Sequence, residues 1–375
     1  MLKLMLGRAG CGKTTEVFRR MCQPGQGSSR QILIVPEQQS HEAERALCQA
    51  GGDGVSLYGE VLSFSRLANR VFLAAGGMGD LELDAGGRIL MMYQAVKAVS
   101  SQLTVYARPS RRPAFLEELL STVDELKSCC IKPELLLRAG EEAGEREGGK
   151  LRDLGLICTA YEALTARTAL DPRDRLTRAA QKLKECPWAQ GADLWLDGFT
   201  DFTPQQQEVL RELLKQARSV TVTLTCDHLE EDEGGTGIFS PARRTAVRLL
   251  RLAKQAGVFC EVETLDNKNQ TKLQPLRQLE RVLFSNVPEE PIPCRGTVEL
   301  FQSSTPRSEV EWTAARIRAL VRLEGYRYRD IGVVARDFSA YQPLLESVFP
   351  RYQVPMFSSA MTDILEKPIL TLVTA

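Results

Sequence analysis

The segment Gly7–Thr15, GRAGCGKTT, constrains the fold more than any other part of the chain. Gly7, Gly12, Lys13 and Thr14 fill every fixed position of the spacing GxxxxGK[ST]. Chance produces such a match in roughly 1% of chains this long, and its setting makes chance a poor explanation here. An apolar run, Leu2–Leu6, leads into it, and a helical pattern with Val17, Phe18 and Met21 apolar leads out. Strand, glycine turn and helix in that order let backbone N–H groups turn inward around phosphate oxygens. The helix N-terminus adds partial positive charge. Gly7, Arg8, Ala9, Gly10, Cys11, Gly12, Lys13, Thr14 and Thr15 are therefore the expected nucleotide-binding loop. Lys13 would reach the β- and γ-phosphates and the Thr14 hydroxyl would bind Mg²⁺, making ATP and Mg²⁺ the expected cofactors. The plain alternative is a glycine turn joining a strand to a helix.

The pattern beyond the loop predicts a mainly parallel α/β sheet. Gln31–Val35 reads as a second buried strand, stopped by Pro36 and followed by a polar turn, Glu37–Ser40. Ser63 is placed to cap a helix in which Phe64, Leu67, Ala68, Val71 and Phe72 share one face. Strands return at Leu194–Asp197 and Val220–Thr225, with a helix from Pro204 to about Ala217 between them. A helix from about Pro241 to Gln255 and a strand near Val258–Val262 follow. Residues 1–83 and 186–290 thus form one discontinuous domain. Across 84–185 the strand signal fades into amphipathic helices, which reads as a helical insertion. Within it RAGEEAGEREGGK (138–150) reads as a loop, as does the acidic HLEEDEGGTG (228–237) later on. The proline-rich VPEEPIPCRG (287–296) marks a boundary. A new series then begins over 296–375, with strands at Val298–Gln302 and Ile331–Ala335 and helices at Glu309–Leu323 and Tyr341–Val348. The closing DILEKPILTLVTA is apolar without a polar cap, so a cut end is expected, with a docked terminal helix as the alternative.

Composition excludes little. With 43% hydrophobic and 26% charged residues, the 375-residue chain can build real cores. Lys+Arg and Asp+Glu balance at 48 each, so any nucleic-acid contact must come from local patches. No apolar run approaches membrane-spanning length, and no signal-peptide pattern opens the chain. Ten cysteines without a CxxC pair, and without an export signal, point to free thiols in a reducing cytoplasm. His41 and His228 lack companions suited to a metal.

A nucleotide loop needs a carboxylate on a nearby strand to hold Mg²⁺ through water. LWLDGFTDFTPQQ (194–206) offers Asp197 after three apolar residues; a strand-end turn residue is the plain alternative. A vigorous ATPase usually places Glu directly after that Asp, to orient the attacking water. Here the position holds Gly198, and Asp201 stands too far along to substitute directly. Nucleotide binding is therefore predicted more firmly than hydrolysis.

Taken in order, GRAGCGKTT, ILIVPEQQSHEAER (32–45), VLSFSRLANRVF (61–72), LWLDGFTDFTPQQ and VTLTCD (222–227) resemble the AddB (RexB-type) subunit of the AddAB helicase–nuclease. The later RDIGVVARDFSAYQPLLESVFPRYQVPMF (329–357) is similar to the same family. The resemblance implies a P-loop, RecA-like first domain with an inserted helical subdomain, and the start of a second RecA-like domain. It implies DNA, as a single strand or duplex end, and an AddA-type subunit as partners, with the AddA-type protein as the working motor. It puts the nuclease residues and an iron–sulfur cluster beyond residue 375. By the same resemblance, Gln38, Gln39 and Ser40 meet the DNA backbone, and Ser63, Phe64 and Arg66 touch a single strand. Phe64 would stack on a base, although its spacing suits a core residue better. Arg336 matches an arginine that contacts nucleotide phosphate, with a plain surface arginine as the alternative. The basic run ARPSRRP, beginning at Ala107, faces DNA or the AddA-type partner on this reading, or plain solvent. Three readings compete: an active superfamily-one translocase, opposed by Gly198; a small-molecule P-loop kinase, opposed by the helical block and second domain; and a scaffold around an empty loop, opposed by intact Lys13 and Thr14.

Overall fold

The apolar runs of the first 289 residues become neighbours in one parallel sheet. The computed structural model describes residues 1–23, 29–108, 112–229, 237–265, 273–283 and 290–358. Its strands are β1 (Leu2–Gly7), β2 (Gln31–Ile34), β3 (Gly59–Leu62), β4 (Asp193–Leu196), β5 (Ser219–Thr225) and β6 (Cys260–Thr264). They lie in the order β3-β2-β4-β5-β1-β6, and every ladder is parallel. Leu2, Leu4 and Leu6 of β1 enter one face of the sheet, while Met5 enters the other. The helices are α1 (Lys13–Cys22), α2 (Ser40–Gly51), α3 (Phe64–Ala75), α4 (Ala85–Val99), α5 (Pro113–Ser128), α6 (Pro133–Glu142), α7 (Glu145–Thr168), α8 (Arg175–Leu183), α9 (Pro204–Gln216), α10 (Ser240–Gln255) and α11 (Gln274–Val282). Helices α3, α8, α9 and α10 cover the first face through Leu67, Ala179, Val209 and Leu249. Helices α1 and α2 cover the second through Val17, Met21 and Leu47. Burial on both faces is why the strands read as nearly unbroken apolar runs. This is an α/β fold of the P-loop, RecA-like kind.

Local signals fix the helix starts. The Ser63 hydroxyl accepts the Arg66 N–H at 3.3 Å and caps α3. Thr203 and Gln206 cap α9 reciprocally, with Pro204 in the first turn. Strand β3 carries only Gly59, Glu60, Val61 and Leu62, two of them apolar, so no periodicity announces it. Its place comes from pairing with β2, Gln31 opposite Gly59 through Ile34 opposite Leu62.

Helices α4 to α7 bury a cluster of their own around Met92, Leu119, Ile157 and Tyr161. The loop expected at 138–150 is mostly helix, since α6 runs to Glu142 and α7 starts at Glu145. Its glycines serve a close crossing. A Cβ on Gly148 would fall 2.5 Å from the Gly140 carbonyl oxygen, and one on Gly140 would fall 3.0 Å from that of Gly148. Beneath α5 and α7, buried Asp171 accepts from Lys127 Nζ at 2.9 Å and from the Tyr161 hydroxyl at 3.0 Å. Burial works against the Asp171 charge, but hydrogen bonds and these cations hold its pKa below the ordinary value.

The chain divides into compact units at Glu289/Glu290. In the second, α12 (Pro306–Leu323) and α13 (Phe338–Val348) pack around Val310, Ala314, Ile317, Leu345 and Phe349. The strands expected at Val298–Gln302 and Ile331–Ala335 are absent as strands. Neither finds a ladder partner among the described residues, and a strand exists only through its partner's hydrogen bonds; Leu300 and Val334 stand exposed. DILEKPILTLVTA, most of HLEEDEGGTG, the start of VPEEPIPCRG and the middle of ARPSRRP lie outside the described residues. Among the described residues no helix is long and apolar enough to cross a membrane.

Candidate nucleotide site

At the carboxyl end of β1 the chain turns sharply into α1. Gly10 and Gly12 take φ of 75° and 91°, a region that side chains disfavour. Gly7 is bare for a different reason: a Cβ there would sit 2.3 Å from Cys11 Sγ, inside the loop. No side chain caps α1, which leaves its first N–H groups for an anion. Lys13 Nζ donates to the carbonyls of Gly7 at 2.7 Å and Arg8 at 3.0 Å, so the ammonium is held on the loop.

Strand β5 separates β1 from β4, which sets the loop and Asp197 two strand spacings apart, about 10 Å. The gap opens into a cleft of about 800 Å³ lined by Lys13, Thr14, Asp197, Gly198, Thr223 and Thr225, among others. Thr14 Oγ1 donates to Asp197 Oδ2 at 2.6 Å across 183 residues of sequence. The Thr223 hydroxyl donates to the other Asp197 oxygen. Asp197 itself is buried. Sequence reading missed Thr223; the signal was the alternation VTVTLT, which puts its threonines on one face of β5. A hydroxyl beside a carboxylate suits Mg²⁺, a hard ion that takes one or two protein oxygens and fills its octahedron with phosphate and water. Among the described residues no group of three metal-ligating side chains assembles, so a cage built of protein alone is not what this donor set offers.

The cleft mouth carries balanced charge. A hydrogen bond from Arg19, reinforced by Arg20 against partial burial, holds the Glu16 carboxyl at about 2. Arg20 also bridges to Glu263 on β6 at 2.7 Å. The Arg8 guanidinium pairs with Glu280 of α11 at 2.9 Å and lies over the Phe239 ring. Gly198 has φ of 81°. Asp201 is tied to α10 by the Thr245 hydroxyl at 3.1 Å and by Arg248 at 3.2 Å.

The residues expected to meet DNA divide in two. Gln38, Gln39 and Arg66 are on the surface, with Arg66 paired to Glu44 at 2.6 Å. Ser40, Ser63 and Phe64 turn inward, which corrects the expectation for them. Ser40 donates to the Glu37 carbonyl at 2.8 Å, and Ser63 is spent as a helix cap. The Phe64 ring is 6% exposed and packs edge-on against Phe199 and Phe202, so the core holds it rather than a base. Arg336 lies in the second unit, beside Val333, Asp337 and Tyr341 in a cleft of about 630 Å³.

Comparison with known proteins agrees with this geometry. The family model described as ADDB, N-terminal, matches residues 4–280. The AddB subunit of the ATP-dependent helicase/deoxyribonuclease from Thermoanaerobacter sp. (strain X514) is 35% identical over all of this chain and 33% of its own length. The proteins of the same name from Acetivibrio thermocellus and Pelotomaculum thermopropionicum are each 33% identical over 99% of this chain and 33% of their own length. The chain thus spans about a third of the length of the curated relatives it matches. With its P-loop, Thr14–Asp197 contact and match over residues 4–280, the chain belongs to the AddB family of ATP-dependent helicase/deoxyribonuclease subunits and corresponds to the N-terminal part of its members.

Proposed function

We propose that this chain is the nucleotide-binding, helicase-like N-terminal part of a DNA double-strand-break-processing helicase–nuclease subunit. It binds ATP with Mg²⁺, meets single-stranded DNA, and has weak or no motor activity of its own. The observation that supports this reading most is the contact between Thr14 and Asp197 next to Lys13. Magnesium, when bound, neutralises phosphate charge. The residues divide the remaining work. Loop N–H groups and the α1 terminus cradle the phosphates. Lys13 exchanges its two carbonyl partners for phosphate oxygens, a stronger charge-assisted bond. Thr14 and Asp197 hold the ion's side of the cleft, and Thr223 fixes the Asp197 rotamer.

On this reading the absence of Glu after Asp197 leaves hydrolysis slow, and force generation falls to an AddA-type partner. Gln38, Gln39 and Arg66 are the surface groups for a DNA backbone, as neutral donors and a cation. Arg336 belongs to the same proposal as a phosphate-contacting arginine. The relatives' printed name supports the ATP and deoxyribonuclease setting. The test is ATP turnover by this chain with and without single-stranded DNA, and with and without an AddA-type protein. Slow turnover that DNA barely changes in the isolated chain is expected. Rapid DNA-stimulated turnover by the isolated chain would overturn the clamp reading in favour of an active translocase.

A further inference from the structure

Residue 198 lacks a side chain, but the space beside it is filled. Strands β2 and β4 are paired up to Ile34 and Leu196, and the Asp197 N–H donates to the Ile34 carbonyl at 3.1 Å. The turn leaving β2, Pro36–Gln39, therefore stands against Asp197–Gly198 at the cleft. A Cβ built on Gly198 would lie 2.6 Å from Gln39 Oε1 and 3.5 Å from Gln39 Cδ. The Gln39 carboxamide thus occupies the position that a side chain following Asp197 would take. Its side chain is exposed, and the carboxamide has no hydrogen-bond partner among the described residues. A polar group with one strong acceptor and two donors stands unengaged beside the aspartate assigned to Mg²⁺.

We propose that Gln39 orients the water that attacks the γ-phosphate, supplying from β2 what the residue after Asp197 does not supply from β4. The inference rests on the nucleotide reading above. In the step, Gln39 Oε1 accepts a hydrogen bond from the water and Nε2 donates to a γ-phosphoryl oxygen. The water oxygen bonds to phosphorus as the bond from γ-phosphorus to the bridging oxygen breaks, and that electron pair leaves on ADP. A carboxamide cannot take the proton, so it passes to phosphate and solvent. Water oriented by an amide gives slow intrinsic turnover, on the order of 10⁻⁴–10⁻² s⁻¹ where a glutamine plays this part in other nucleotide hydrolases. The site is then a slow hydrolase, and its rate is set by a residue outside the phosphate loop.

The test measures single-turnover ATP hydrolysis and Mg–ATP affinity in wild type, Gln39→Ala and Gln39→Glu. Gln39→Ala should lower the rate on the order of 10- to 100-fold while affinity stays within about twofold, because orientation is lost and phosphate binding is not. Gln39→Glu should raise the rate above wild type. Its rate should increase with pH through the carboxylate range, a dependence the wild type lacks. Unchanged turnover in Gln39→Ala, or no turnover in a wild type that binds Mg–ATP, overturns the inference. Failure of the underlying reading looks different: the wild type would then not bind Mg–ATP at all.

Discussion

Replacing Gly198 tests whether the missing carboxylate is written into the backbone. The residue sits at φ 81°, where an L side chain costs about 1–2 kcal/mol. Two contacts add to this. The Gln39 Oε1 contact at 2.6 Å is cheap to relieve, because it is the free end of an exposed side chain. The Pro36 Cδ contact at 3.3 Å is not, because the ring cannot swing away. Gly198→Ala should therefore cost about 1–3 kcal/mol, read as a lower urea midpoint at unchanged m-value. Gly198→Asn should cost less than Ala, since Asn tolerates the left-handed region. Gly198→Glu should not produce a fast ATPase, because its Cβ begins against Pro36 and Gln39. An Ala variant as stable as wild type, or a Glu variant with rapid turnover, would refute this reasoning.

Thr14→Val and Asp197→Asn should each weaken Mg–ATP binding by about tenfold or more, and change binding much less in EDTA, as titration calorimetry can measure. Asp193 gives a pH prediction. Burial opposes its charge, but bonds from Arg218, Ser219, Ser29 and Gln31 outweigh burial and hold it at about 2. A depressed carboxyl stabilises the fold above its unfolded pKa near 3.9 and loses that contribution as pH falls toward 2. It is therefore worth about 2 kcal/mol at neutral pH. The urea-stability gap between wild type and Asp193→Asn should accordingly close between about pH 5 and pH 2. Lys127→Met should cost about 3 kcal/mol in thermal or urea unfolding, because it strips one cation from fully buried Asp171.

Long-range pairing divides what the sequence disclosed from what it concealed. The loop, Asp197 and five of the strands were legible because each rests on a local signal: glycine spacing, an apolar run, a cap. Strand β3 was not, because its four residues become a strand only against β2. The glycines of 138–150 looked like loop punctuation, yet Gly140 and Gly148 permit a helix crossing visible only in three dimensions. Ser63 was rightly placed as a cap. That same role, with the burial of Phe64, removes both from the surface that the resemblance assigned to DNA. Arg8 reads as a loop cation, and nothing in its own neighbourhood announces Glu280, 272 residues away. The Gln39–Gly198 contact was equally silent, because it joins the ends of two strands separated by the whole helical block.

The central claim is that the P-loop binds Mg–ATP through Lys13, and titration calorimetry of the wild type against Lys13→Ala tests it most directly. The account predicts one saturable, Mg²⁺-dependent site in the wild type, weakened roughly 100-fold by loss of the two charge-assisted bonds Lys13 can make to phosphate. Absence of Mg–ATP binding in the wild type, or equal affinity in Lys13→Ala, would contradict it.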